Sequence, residues 1–349
     1  MSEVAVHIAG NRSTGERNSN EPPAFSTREQ TTLKSALENL IPNDSALQTC
    51  AQHHFAQSGK MLRGQLALMT GDTLGISAHA ALAWAMSVEL MHNASLVHDD
   101  ICDKDETRRG KASVWAAFGA PTAICFGDWL TAQSFAHAAQ AEVASGTRGL
   151  VSMAAQAMAD LSCSQAHEFR QMKYPDWKTY EQIVTGKTVP LLTAGILGTL
   201  SMTACVDTQI NNAVDKTFAA LGQAYQIAND IDNFTGDDGH ENLNHDLANA
   251  APNAVIIIFR DGLKNGSRLA FDAWLEDPAR IGASHWRDRI LQTDAVQHTT
   301  DQVSQRLVAA HKSARSLPED LRQIIAPLYN YLLHTCTSMG AQATGHNFQ

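Results

Sequence analysis

No CxxC pair occurs anywhere in the 349 residues, and the six cysteines (Cys50, Cys102, Cys125, Cys163, Cys205, Cys336) are scattered. That spacing excludes a zinc ribbon or a disulfide framework and reads as small buried thiols in a reducing compartment. Basic residues are in deficit: 26 Lys and Arg stand against 36 Asp and Glu, a formal net charge of −10. A face that grips nucleic acid without regard to sequence is therefore not expected. No stretch comes close to the roughly 20 apolar residues that a membrane span needs. The N-terminus lacks the apolar core of a signal peptide and the Arg-rich, acid-poor bias of a transit peptide. Residues 1–24 read as a disordered polar leader, residues 25–349 as one domain, and the expected location is cytoplasmic.

Proline is thin through the middle of the chain and 44% of the residues are hydrophobic, with Ala plentiful. Helical periodicity is expected from Thr27 to Leu40, over 46–75, and from Ala80 to about Asp103. A charged loop follows at 104–111. Further helices are expected at about 120–142, 147–172, 178–203, 208–235, 253–276, 285–312 and 318–338. No convincing strand, repeat or linker interrupts them. The fold class is all-α, a single bundle of long helices around a central cavity.

The most informative segment is His92-Asn-Ala-Ser-Leu-Val-His98-Asp99-Asp100-Ile-Cys-Asp103. On a helix Asp99 and Asp103 project from one face, and His92, seven residues before Asp99, shares that stripe. Stacked carboxylates at the end of an apolar helix need a neutralising partner. A hard cation such as Mg²⁺ suits them, since it takes one or two carboxylates together with substrate phosphates. Asp100 points partly away and is expected to support that pair. The competing reading is a solvated acidic helix end. Against it, Arg108-Arg109-Gly110 follow five residues later and place two forked cations where phosphate oxygens would lie.

The run "ELMHNASLVHDDICDKDETRRG" resembles the first aspartate-rich region of the trans-polyprenyl diphosphate synthases, DDxxD followed by RRG. Upstream, "SGKMLRG" is similar to that family's GGKRLRP element. Downstream, "AICFGDWL", "YEQIVTGKT" and "GQAYQIANDIDNF" follow in the family's order, so the resemblance spans roughly residues 55–260. It implies that Lys60, Arg63, His92 and Arg109 hold isopentenyl diphosphate. It implies too that Arg108, Lys187, Thr188 and Gln226 meet an allylic diphosphate. Three Mg²⁺ per site are implied, two on Asp99 and Asp103 and a third on the second aspartate-rich helix. A homodimer is the default by resemblance alone.

The second motif departs from the family pattern. Where FQxxDDxxD is usual, the chain reads Tyr225-Gln226-Ile-Ala-Asn229-Asp230-Ile-Asp232-Asn233, and two expected lysines further on are Glu241 and Ala251. Asn still offers oxygen to Mg²⁺ but carries no charge. Gln226, Asn229, Asn233 and Asp237 form one polar helical stripe, and the last three have the spacing of the metal triad of class I terpene cyclases.

The resemblance therefore implies ionisation of an allylic diphosphate on Asp99, Asp103, Arg108 and Lys187, with Asn229, Asn233 and Asp237 as an altered metal set. Product length is expected to be read one to two helical turns below Asp99, at Ser95, Ala94 and Met91, each turn being about 5.4 Å. Ala94, small where short-chain relatives carry an aromatic ring, points to C20 or longer products, geranylgeranyl diphosphate first among them. Two alternatives stay open: a relative with altered chemistry, cyclase-like or using another acceptor, and an inactive regulatory subunit.

Overall fold

The structure is a computed structural model that describes residues 27–42, 45–56, 59–169, 173–203, 207–235, 245–277, 279 and 281–338. The expected leader at 1–24 and the residues Asp237 and Glu241 lie outside these. Fifteen helices occur among the described residues. The first seven are α1 (Thr27–Asn39), α2 (Ser45–Phe55), α3 (Leu62–Thr73), α4 (Ala78–Asp103), α5 (Val114–Phe118), α6 (Ala120–Ser145) and α7 (Leu150–Phe169). Next come α8 (Trp177–Ser201), α9 (Thr208–Thr235), α10 (His245–Asn249) and α11 (Ala254–Gly262). The last are α12 (Asn265–Glu276), α13 (Ala283–Leu291), α14 (Ala295–Ala314) and α15 (Glu319–Ser338).

The ends of these helices follow local chemistry. Ser77 caps α4 by accepting from the Ala80 amide, and the Asp176 carboxylate caps α8 through Thr179. Such caps satisfy amides that have no partner within the helix. Pro190 lies inside α8 and lacks the amide that would bond the Gly186 carbonyl. One rung of the helical ladder is thus missing beside Lys187 and Thr188.

Four expectations on elements need correction. The stretch 46–75 is two helices, because the backbone turns at Met61, whose φ is 47°. The stretches 253–276 and 285–312 each divide in two, at 263–264 and 292–294. The charged loop after α4 contains a hairpin, β1 (Thr107–Arg108) against β2 (Lys111–Ala112). Its two turn residues, Arg109 and Gly110, both have positive φ, 54° and 73°. That is the signature of a type I′ turn, where Gly is unstrained and Arg109 is not.

The buried side chains form two clusters. One joins α1–α4, α6 and α7 around Trp84, Leu90 and Phe126; the other joins α8, α9, α11, α14 and α15 around Phe218, Phe234 and Leu328. Among the described helices only α8 is long and apolar enough to cross a membrane, which amends the expectation that no segment approaches a span. Most of its apolar window, 61%, is buried within the bundle, so core packing accounts for its composition.

Candidate active site

A cavity of about 230 Å³ opens between the two clusters. One wall is α4, which contributes His92, Ser95, Leu96, Asp99 and Asp103, a single helical stripe. Opposite stand Ile183, Val184, Lys187 and Thr188 of α8, with Glu168 and Leu161 of α7, Gln226 of α9, Arg63 of α3 and Arg108 of the hairpin. Leu96, Leu161, Ile183 and Val184 supply apolar surface to the lining.

Burial raises the Asp99 carboxyl and pushes that of Asp103 up to about 7, despite the pull of Lys187 on both. Glu168 opposes the ionisation of both aspartates, and Asp99 that of Asp103. Lys187 Nζ donates to Glu168 Oε2 at 2.7 Å. Burial alone would depress the lysine, yet Glu168 and Asp99 outweigh it and hold the ammonium charged. On the other flank burial and Arg63 drive His92 well below its usual range, leaving a neutral imidazole. Burial likewise lowers Arg63.

Asp100 pairs with an arginine that borders the cavity. Its carboxylate accepts from Arg108 Nε at 2.7 Å and from Nη2 of the same side chain. Burial pushes this carboxyl up to about 6 against the arginine's pull. Arg108 is thus aimed by Asp100 while still bordering the cavity. Its neighbour Arg109 lies instead in a small pocket with His53, His54 and Lys111. There it packs on Gly59, where a Cβ would fall 2.5 Å from a guanidinium nitrogen.

Several expected site residues do not border this cavity of about 230 Å³. Met91 and Ala94 are fully buried on the face of α4 that packs on α6, the face marked by the Ser87–Ser134 hydrogen bond and by His98 beside Asp128. Of the three positions proposed to read chain length, only Ser95 borders the cavity. Asn229 and Asn233 run on from Gln226 toward the end of α9 without reaching the wall. Lys60 is exposed and engaged with α15.

Two features escaped the sequence reading. Glu168 gives no motif, but it extends the buried stripe Ala154, Ala157, Leu161 and Gln165 of α7, where a carboxylate is out of place. His245 of α10 stands 3.1 Å from Asp105, two residues beyond α4. The carboxylates of Asp105 and Asp246 hold it at about 10, hence charged at neutral pH. A second cavity of about 430 Å³ shares Asp103 and Glu168 with the first, and Lys173, His245 and Ala251 border it. Cations therefore stand near Ala251, where the family pattern places a lysine.

Comparison with known proteins decides the family. A family profile described as Polyprenyl synthetase matches residues 44–277, more than half of the chain. The chain belongs to the polyprenyl synthetase family. It is 28% identical over 206 residues to a short chain isoprenyl diphosphate synthase of Methanocaldococcus jannaschii, covering 59% of this chain and 63% of that one. It is 31% identical over 217 residues to a geranylgeranyl diphosphate synthase of Saccharolobus solfataricus, covering 58% and 62%. The alignment thus spans a little under two thirds of each relative's length. A polyprenyl synthase of Caulobacter crescentus, solved with calcium and isoprenyl diphosphate, superposes with a TM-score of 0.77 at 21% identity, over 91% of this chain and 98% of that one. That likeness establishes the all-α fold.

Proposed function

We propose that this polyprenyl synthetase condenses isopentenyl diphosphate with an allylic diphosphate, giving a trans-prenyl diphosphate of C20 or longer. One observation carries the reading: Asp99 and Asp103 share a cavity with Lys187, Arg108, Arg63 and His92, and Leu96, Leu161, Ile183 and Val184 line it too. The donor set fits Mg²⁺. Two neighbouring carboxylates whose ionisation burial opposes are an incomplete, hard-oxygen site, and phosphate oxygens would complete it. Among the described residues no group of three or more His, Cys, Asp and Glu is arranged to hold a metal without such help. Bound there, Mg²⁺ would neutralise a leaving diphosphate.

The chain's own residues do the rest. Arg108, aimed by Asp100, and Lys187, aimed by Glu168, present fixed positive charge to the allylic diphosphate as negative charge grows on it. Arg63 and the neutral His92 donate to the second diphosphate at the other end of the same stripe. Leu96, Leu161, Ile183 and Val184 keep water from an allylic cation. Ser95, at the cavity edge, is the proposed gauge of product length, and its small side chain leaves room for growth.

The test is direct. Purified protein is incubated with Mg²⁺, labelled isopentenyl diphosphate and C10, C15 or C20 allylic diphosphates, and the products are sized. Prenyl diphosphates of C20 or more are expected. Products that retain no labelled isopentenyl unit, or no turnover at all, would overturn the reading. Ser95→Phe should shorten the product, whereas Ala94→Phe, facing α6, should cost stability without a comparable shortening.

A further inference from the structure

Lys60 stands apart from the other cations of the site. It lies in the link between α2 and α3, three residues before Arg63, and it is exposed. Its Nζ donates to the Tyr331 hydroxyl at 2.6 Å, across 271 residues of sequence. The same ammonium sits 4.0 Å from the centroid of the Tyr331 ring. One aromatic side chain therefore holds this lysine by its oxygen and by its π face.

Tyr331 is itself anchored. It is half-buried on α15 and packs on the core cluster, between the buried Leu328, Tyr329 and Leu332. The helix lies against α3, which carries Arg63, and against α9. A lysine side chain has large rotamer entropy, and a ligand that captures it from solution must overcome that freedom. Here the freedom is already restricted. The ammonium has three protons, of which the phenol oxygen takes one, leaving two for phosphate oxygens. Arg63 complements it from the cavity wall, where its buried Nε has no hydrogen-bond partner.

We propose that Tyr331 is a positioning residue that presets Lys60 for a diphosphate group, so that the C-terminal helix α15 tunes affinity for isopentenyl diphosphate. This rests on the reading that Lys60 and Arg63 together meet that diphosphate. It predicts coupling between two residues that no sequence motif connects.

The experiment compares wild type, Tyr331→Phe, Lys60→Ala and the double variant in steady-state kinetics and in calorimetric binding of inorganic diphosphate. Tyr331→Phe keeps the ring and its packing and removes only the acceptor. It should raise KM for isopentenyl diphosphate roughly threefold to tenfold while kcat and the allylic KM stay unchanged. Diphosphate affinity should fall in step, and the substitution should add nothing once Lys60 is Ala. Unchanged KM and affinity in Tyr331→Phe, with both impaired in Lys60→Ala, would overturn the role of Tyr331 and leave the enzyme reading intact. Additive losses in the double variant would also overturn it, since Tyr331 would then act through the fold. Coupled losses of diphosphate binding in a protein that makes no prenyl product would uphold Tyr331 and sink the elongation reading instead.

Discussion

On α4, Asp99 and Asp103 face the cavity, held up by burial and left with distant or shared counter-charges. On α9, which carries the second acidic motif, Asp230 is buried and fully committed. It accepts from Tyr180 Oη at 2.6 Å, from Gln226 Nε2 at 2.9 Å and from the Ala254 amide at 2.8 Å. Two helices with related acidic motifs thus use them differently. On α4 the two carboxylates border a cavity; on α9 the carboxylate ties α8, α9 and α11 together. On the proposed function, carboxylates meant for a ligand are left short of protein partners, and one that serves architecture is saturated with them.

The widest separation between the two helices should appear in activity. Asp99→Ala or Asp103→Ala should lower turnover at least about a hundredfold, with unfolding free energy changed by under about 1 kcal/mol. Retention of a tenth of wild-type activity by either variant would remove these residues from the ligand role. Asp230→Ala should behave in the opposite sense. Leaving Tyr180 and the Ala254 amide without an acceptor should cost about 3 kcal/mol of stability, read by denaturant titration. A stable Asp230→Ala protein with lost activity would erase the contrast drawn here.

A smaller effect concerns the contact that spans both motif regions, His245 with Asp105. The folded imidazole is raised from 6.5 to about 10. Its stabilising contribution is therefore fully present below about pH 6.5 and fades as pH climbs through 10. In metal-free protein the thermal midpoint of wild type should exceed that of His245→Gln at pH 6 and converge with it by pH 10. A constant gap across that range would mean that the imidazole is not charged in the fold.

The smallest expected change is at Asn229. Restoring the family's aspartate should lower the Mg²⁺ needed for half-maximal rate by roughly twofold to fivefold, since a carboxylate is the better Mg²⁺ ligand. The neighbouring Asp230 and Asp232 limit the gain by repulsion. A higher requirement, or lost activity, would favour altered chemistry on the Asn229–Asn233 stripe over chain elongation.

By itself the sequence determined the all-helical class, the continuous span of α4 and the shared face of His92, Asp99 and Asp103. These follow from 3.6-residue periodicity and from side chains stacked one turn apart, which are local properties. Of the residues that the motif resemblance named as diphosphate contacts, Arg63, His92, Arg108, Lys187, Thr188 and Gln226 border one cavity, whereas Lys60 and Arg109 do not. Tertiary packing alone decided which face of α4 meets α6, and so excluded Met91 and Ala94 from the cavity wall in favour of Ser95. It also supplied Glu168 to Lys187, Asp100 to Arg108, His245 to Asp105 and Tyr331 to Lys60. Partners brought together across the bundle share no periodicity. Their pairing depends on how helices pack in three dimensions, and only there does a buried charge find, or lack, its counter-charge.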